Sequence, residues 1–294
     1  MKRMTQLLVA AAAGLGLAAS AHAQTIVVGG KNFTEQLLLA EMTTQLLEAN
    51  GFDVDKRDGM GSQVVRDAQV NGQVDVYWEY TGTSLVTYNK VSDPMDADAT
   101  YMKVKELDAE VGLTWLDASN ANNTYALAVR SGDEDTADLA TLSDLAAAYN
   151  GDRGLIMAVN AEFPGRPDGL PGLEEAYGFE TTRADLRSME SGLTYQALRD
   201  NEVDIGLVFA TDGRIAAFDF RVLEDDRGFF PNYAIAPVVR TETLEANPGL
   251  AEPLNALAAQ LSDEVMQRLN AEVDVDKVSI EDVAGGFLSE IGLL

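Results

Sequence analysis

Two stretches of the chain repeat one another 129 residues apart, and this repeat restricts the fold more than any other feature. Val74-Asp75-Val76-Tyr77-Trp78-Glu79-Tyr80 matches Val203-Asp204-Ile205-Gly206-Leu207-Val208-Phe209. In both, a polar helix end leads into Val-Asp, a short apolar run and an aromatic ring, Tyr80 or Phe209, just before a polar turn. The same offset pairs Thr25–Val28 with Gly154–Met157, each opening a loop that carries a basic residue, Lys31 or Arg166. A repeated strand–loop pattern implies two similar lobes whose equivalent loops face one cleft, and clefts between lobes are where small ligands bind.

Strand and helix signals alternate, which predicts an α/β fold with a mainly parallel sheet in each lobe. Gly29-Gly30 reads as a turn after the first strand, and Asn32-Phe33-Thr34-Glu35 as a capping box for the helix carrying Leu38, Met42 and Leu46. Ser62 reads as the cap of the next helix, through Val70, and a further helix is expected over 100–111. The polar segment Asn120–Asn123 marks a crossing into the second lobe, and Phe229-Phe230-Pro231-Asn232-Tyr233 marks a second crossing back. Residues 24–123 then begin lobe one, 124–232 form lobe two, and 233–294 return to lobe one. Two adjacent crossings predict a hinge that opens and closes the cleft.

Residues 1–23 have the marks of an export signal: Lys2 and Arg3, an apolar stretch from Leu7 to Ala19, and Ala21-His22-Ala23 as the cleavage site. Without a cysteine to accept a lipid there, the mature chain is expected free in the periplasm. Cleavage removes the single histidine, and the chain has no cysteine. A Ser-His-Asp triad, a Cys-His pair and the common zinc sites are thereby excluded, and no cofactor or metal is expected. A carboxylate-dependent hydrolase is the enzyme class that remains open. The formal net charge of −27 repels nucleic acid and anionic headgroups and favours the approach of cations; solubility is the plainer explanation of it.

Lys31, beside a helix N-terminus, suits a carboxylate, and Arg166 could grip one bidentately. A buried pair of Arg166 with Asp168 or Glu162 is the alternative. Tyr80, Tyr125, Phe209 and Tyr233 sit at strand ends and crossings. Rings converging from both lobes would surround a cation whose charge is spread over methyl groups; a place in the core is the alternative for each. Tyr195 reads as helix packing.

Gly29–Gln36, Tyr77–Thr83, Phe163–Leu173, Ala210–Ile215 and Phe229–Tyr233 followed by Pro237–Arg240 resemble the periplasmic substrate-binding proteins of osmoprotectant ABC importers. These bind glycine betaine, carnitine or choline, and the likeness spans essentially all of the mature chain. The resemblance implies a two-lobed, hinge-closing fold, an aromatic cage and delivery of the solute to a membrane permease, with no membrane insertion of its own. By motif position it makes Tyr80, Tyr125 and Tyr233 cage residues, with Phe209 where the family commonly has another tyrosine. Lys31, Thr83 and Arg166 match positions that hold a ligand carboxylate in some members, and Asn123 and Thr211 fall near the same cleft. With both basic residues present, a betaine-like ligand is expected over choline. Another small amine or amino acid on the same scaffold is the competing ligand class.

Overall fold

The computed structural model describes residues 25–294, so the expected export signal lies outside the described residues. The first half of the described chain runs β1 (Ile26–Lys31), α1 (Thr34–Ala49), β2 (Val54–Met60), α2 (Ser62–Val70), β3 (Val76–Tyr80), α3 (Ala97–Ala109) and β4 (Leu113–Trp115). After a crossing come β5 (Tyr125–Arg130), α4 (Leu142–Asn150), β6 (Met157–Asn160), α5 (Leu170–Tyr177), β7 (Leu186–Met189) and α6 (Ser191–Arg199). Next are β8 (Ile205–Phe209), α7 (Arg214–Ala217) and β9 (Phe220–Val222). A second crossing leads to β10 (Ile235–Arg240) and the helices α8 (Thr241–Ala246), α9 (Ala251–Ala258), α10 (Asp263–Asp274) and α11 (Ile280–Glu290).

The strands form two five-stranded sheets, ordered β2-β1-β3-β10-β4 and β7-β6-β8-β5-β9. In each, four strands run the same way and only one, β10 or β5, runs against them, so each sheet is mainly parallel, as expected, with a single reversed strand. The reason lies in the crossings: β5 and β10 each enter a sheet from the other lobe and run antiparallel to the third strand of the repeat. The two crossings lie side by side, joined by a bridge between Asn122 and Ala234 and by Asn123 N donating to Tyr233 O at 3.2 Å. Helices α10 and α11 return to pack on α1.

The repeat survives at atomic detail. The 129-residue offset superimposes β3 on β8 and α2 on α6, end for end. Asp75 Oδ2 accepts from Val27 N at 2.8 Å, and Asp204 Oδ2 accepts from Ile156 N at 2.8 Å, again 129 residues apart. Each aspartate opens a third strand by tying it to the first, which is why Val-Asp heads both copies.

Four local expectations are corrected. Gly29-Gly30 is strand, not turn: β1 continues to Lys31, and a Cβ on Gly29 would stand 2.7 Å from Val74 Cγ1. The glycine is there for close packing. Asn32 and Glu35 make no capping box, because Glu35 turns inward and α1 starts behind Phe33 without a side-chain cap. Ser62 is the first residue of α2 rather than its cap; a carboxylate from the other lobe meets that helix end instead, as described below. The helix expected over 100–111 begins earlier, where Asp96 accepts from Ala99 N.

Candidate ligand-binding site

A cavity of about 290 Å³ lies between the two sheets. The repeat builds much of it, since six lining positions from lobe one meet their counterparts 129 residues on. These pairs are Lys31 and Asn160, Asn32 and Ala161, Phe33 and Glu162, Gly61 and Glu190, Ser62 and Ser191, and Tyr80 and Phe209. Strand ends and helix starts converge here because both copies send the C-terminal ends of their parallel strands to the cleft. The partner of Lys31 in this register is Asn160, not Arg166, which sits six residues further along beyond the turn Phe163–Gly165.

All the residues singled out from the sequence line this cavity except Thr211, which lies in a small adjoining pocket with Glu35 and Asn270. Phe33, which sequence reasoning passed over, adds a fifth ring. It stacks on Phe209 with centroids 5.6 Å apart at 6°, and on Tyr80 at 6.2 Å. Tyr125 stands 5.2 Å from Phe209 and 5.7 Å from Tyr233, edge to face with the latter. Burial pushes the Tyr125 hydroxyl up to about 12, so these phenols stay neutral and their faces electron-rich. Tyr195 packs behind the site as expected, its hydroxyl accepting from Phe209 N at 2.8 Å.

The basic residues are already paired. Lys31 Nζ lies 2.5 Å from Glu79 Oε1 and 4.7 Å from the centre of the Tyr80 ring. Burial lowers the pKa of Lys31, with Glu79 pulling it back up. Arg166 grips Asp168 through Nε and Nη2 at 2.9 and 2.6 Å, and Nη2 also donates to Thr83 Oγ1 at 3.1 Å. Its Cζ stands 5.4 Å from the centre of Tyr125. The buried Arg166–Asp168 pair left open by the sequence is therefore present, and Arg166 lines the cavity as well.

Glu35 is the second residue that sequence reasoning misplaced. It is 3% exposed. Its Oε1 accepts from Tyr80 OH at 2.8 Å and Asn123 Nδ2 at 2.7 Å; its Oε2 accepts from Thr211 Oγ1 at 2.5 Å and Asn270 Nδ2 at 3.4 Å. Burial raises its pKa, and the four donors oppose that rise. One carboxylate thus ties lobe one, a crossing, lobe two and the returning helix together behind the rings. The signal was available: Glu35 precedes Leu38 and Leu39 by three and four residues, which puts it on the buried stripe of α1.

Glu162 makes the third contact across the cleft. Its carboxylate accepts from Ser62 N at 2.9 Å and Ser62 Oγ at 2.8 Å, at the start of α2. It also lies 3.7 Å from Arg166 Nη1. A helix N-terminus favours such an anion.

The model of the substrate-binding domain of the ABC-type glycine betaine transport system matches residues 24–290. The glycine-betaine-binding protein of Pseudomonas aeruginosa is 43% identical over 300 residues, covering 100% of this chain and 96% of its own. Glycine betaine-binding protein YehZ of Escherichia coli is 35% identical over 279 residues, 92% of each chain. A solved structure of apo YehZ aligns with a TM-score of 0.66 at 34% identity, over 92% of this chain and 100% of that one. A crystal structure of a glycine betaine/carnitine/choline ABC transporter aligns with a TM-score of 0.72 at 30% identity, over 91% and 99%. The two mixed sheets, the cleft between them and these relatives agree: the chain belongs to the family of substrate-binding domains of ABC-type glycine betaine transport systems.

Proposed function

We propose that this protein captures a quaternary-ammonium solute (glycine betaine, carnitine or choline) between its lobes and delivers it to an ABC importer. The observation that carries this reading is the ring of Phe33, Tyr80, Tyr125, Phe209 and Tyr233 around one cavity, drawn from both sheets and one crossing. A trimethylammonium head has no N–H to donate and spreads its charge over methyl groups, so aromatic faces suit it better than carboxylates do. Its relatives, which are binding proteins, support a role without chemistry of its own.

Segments 24–123 and 233–294 form one lobe and 124–232 the other, with the paired crossings as hinge. The interlobe contacts Ser62–Glu162, Thr83–Arg166 and Glu35–Thr211 belong to the closed arrangement. A ligand touching both lobes favours that arrangement through its differential affinity for it. The closed form then docks on the permease. Residues 1–23 carry the export signal that sends the chain to the periplasm, and among the described residues no helix is long and apolar enough to cross a membrane.

Calorimetric titration of the mature chain with glycine betaine, choline, carnitine and glycine tests the reading. Binding of at least one trimethylated ligand with no response to glycine is expected. Tighter binding of glycine would move the chain to the amino-acid class, and silence across the panel from folded, ligand-free protein would refute the cage.

A further inference from the structure

Resting on the cage reading, we propose that the site prefers a quaternary-ammonium alcohol of the choline class over a zwitterionic betaine, and that Glu162 sets the preference. A betaine needs donors and net positive charge for its carboxylate. The cavity has the donors but has already spent the charge. Lys31 is matched by Glu79 at 2.5 Å and Arg166 by Asp168 at 2.6 Å. Two more carboxylates, Glu162 and Glu190, line the cavity with no cation of their own in hydrogen-bond contact. Two cations therefore face four carboxylates, a formal surplus of two negative charges before the buried Glu35 is counted.

Position sharpens the argument. A carboxylate reaching out from the cage toward Arg166 and the start of α2 would need Ser62 N–H, Ser62 O–H and Arg166 Nη1. Glu162 already holds the first two, at 2.9 and 2.8 Å, and stands 3.7 Å from the third. A betaine carboxylate would meet a like charge at its own docking point, an arrangement that rejects a ligand as effectively as a steric clash. A hydroxyl brings a proton instead, and the lone pairs of Glu162 and Glu190 can accept it. Both acids come from lobe two alone, because their repeat counterparts are Phe33 and Gly61.

The test is calorimetric titration of choline and glycine betaine against the wild-type chain and Glu162→Gln at one pH and ionic strength. Choline is expected to bind about tenfold tighter than betaine in the wild type, with the ratio narrowing to about threefold or less in the variant as betaine gains. Betaine binding as tightly as choline to the wild type overturns the inference, as does a ratio unmoved by Glu162→Gln; either leaves the cage intact. Failure of both ligands to bind the folded wild type overturns the cage reading itself.

Discussion

Asp168→Asn tests whether a desolvated ion pair holds the basic wall of the cavity. Asp168 is 3% exposed. It accepts four hydrogen bonds: Oδ1 from Arg166 Nε at 2.9 Å and Thr87 Oγ1 at 3.0 Å, and Oδ2 from Arg166 Nη2 at 2.6 Å and Tyr233 OH at 2.9 Å. Asparagine has one acceptor oxygen, so with that oxygen toward Arg166 Nε and Thr87 it turns an amide NH₂ toward Arg166 Nη2, donor against donor, while the Tyr233 hydroxyl can rotate to accept. Breaking a buried pair from one side costs roughly 3–5 kcal/mol. Glu162, 3.7 Å from Nη1, recovers part of that loss, and a net destabilisation of about 3 kcal/mol is expected. Urea denaturation of the ligand-free chain, followed by far-ultraviolet circular dichroism at unchanged slope, measures it. A loss below about 1 kcal/mol, the scale of an exposed ion pair, would refute the argument. Binding supplies an independent readout: with Asp168 neutralised, Arg166 regains charge for a carboxylate, and the betaine-to-choline affinity ratio rises. A fixed ratio would take Arg166 off the ligand-facing wall.

Three further outcomes are expected. Tyr80→Ala and Tyr233→Ala each weaken binding of a trimethylated ligand by about 1–2 kcal/mol, the scale of a desolvated cation–π contact; unchanged affinity in a folded variant removes that ring from the cage. Burial raises the Glu35 carboxyl above its ordinary value of 4.5, so the folded chain holds this proton more tightly than the unfolded chain. Wild-type stability therefore falls as pH rises from 4.5 through the folded value, whereas Glu35→Gln lacks that loss. The melting-temperature difference, variant minus wild type, is expected to be more positive at neutral pH than near pH 4, and a difference independent of pH contradicts the account. A Cβ on Gly82 would meet Asn232 O and the Tyr233 ring at 2.9 Å, so Gly82→Ala should displace that ring and lower affinity more than stability; equal ligand affinity by calorimetry would count against a close fit there.

The sequence carried the frame of this molecule further than its local detail. The Val-Asp repeat located both third strands and both lobes, because a hydrogen bond from the aspartate to the first strand makes the motif a structural requirement rather than a coincidence. The rings Tyr80, Tyr125, Phe209 and Tyr233 were legible from their places at strand ends and crossings. Glu35 was not, because a local pattern, Asn32 to Glu35, imitates a helix cap, while the donors that draw the carboxylate inward come from positions 80, 123, 211 and 270. Ser62 failed for the same reason: its helix end is met by Glu162, 100 residues away in sequence. Contacts between distant segments outweigh local preference at both places, and a single sequence does not display them.

Matched pairs along the cavity give it a near two-fold frame with unlike halves. In such a frame, one member of a pair can change its chemistry while the backbone of the other keeps the width of the gap. Phe33 against Glu162 and Gly61 against Glu190 are instances, each placing an apolar or vacant position opposite an acid. The end that takes a methylated head and the end that takes a tail can then drift independently, and a duplicated scaffold can pass from one solute to another without redesigning the joint between its lobes.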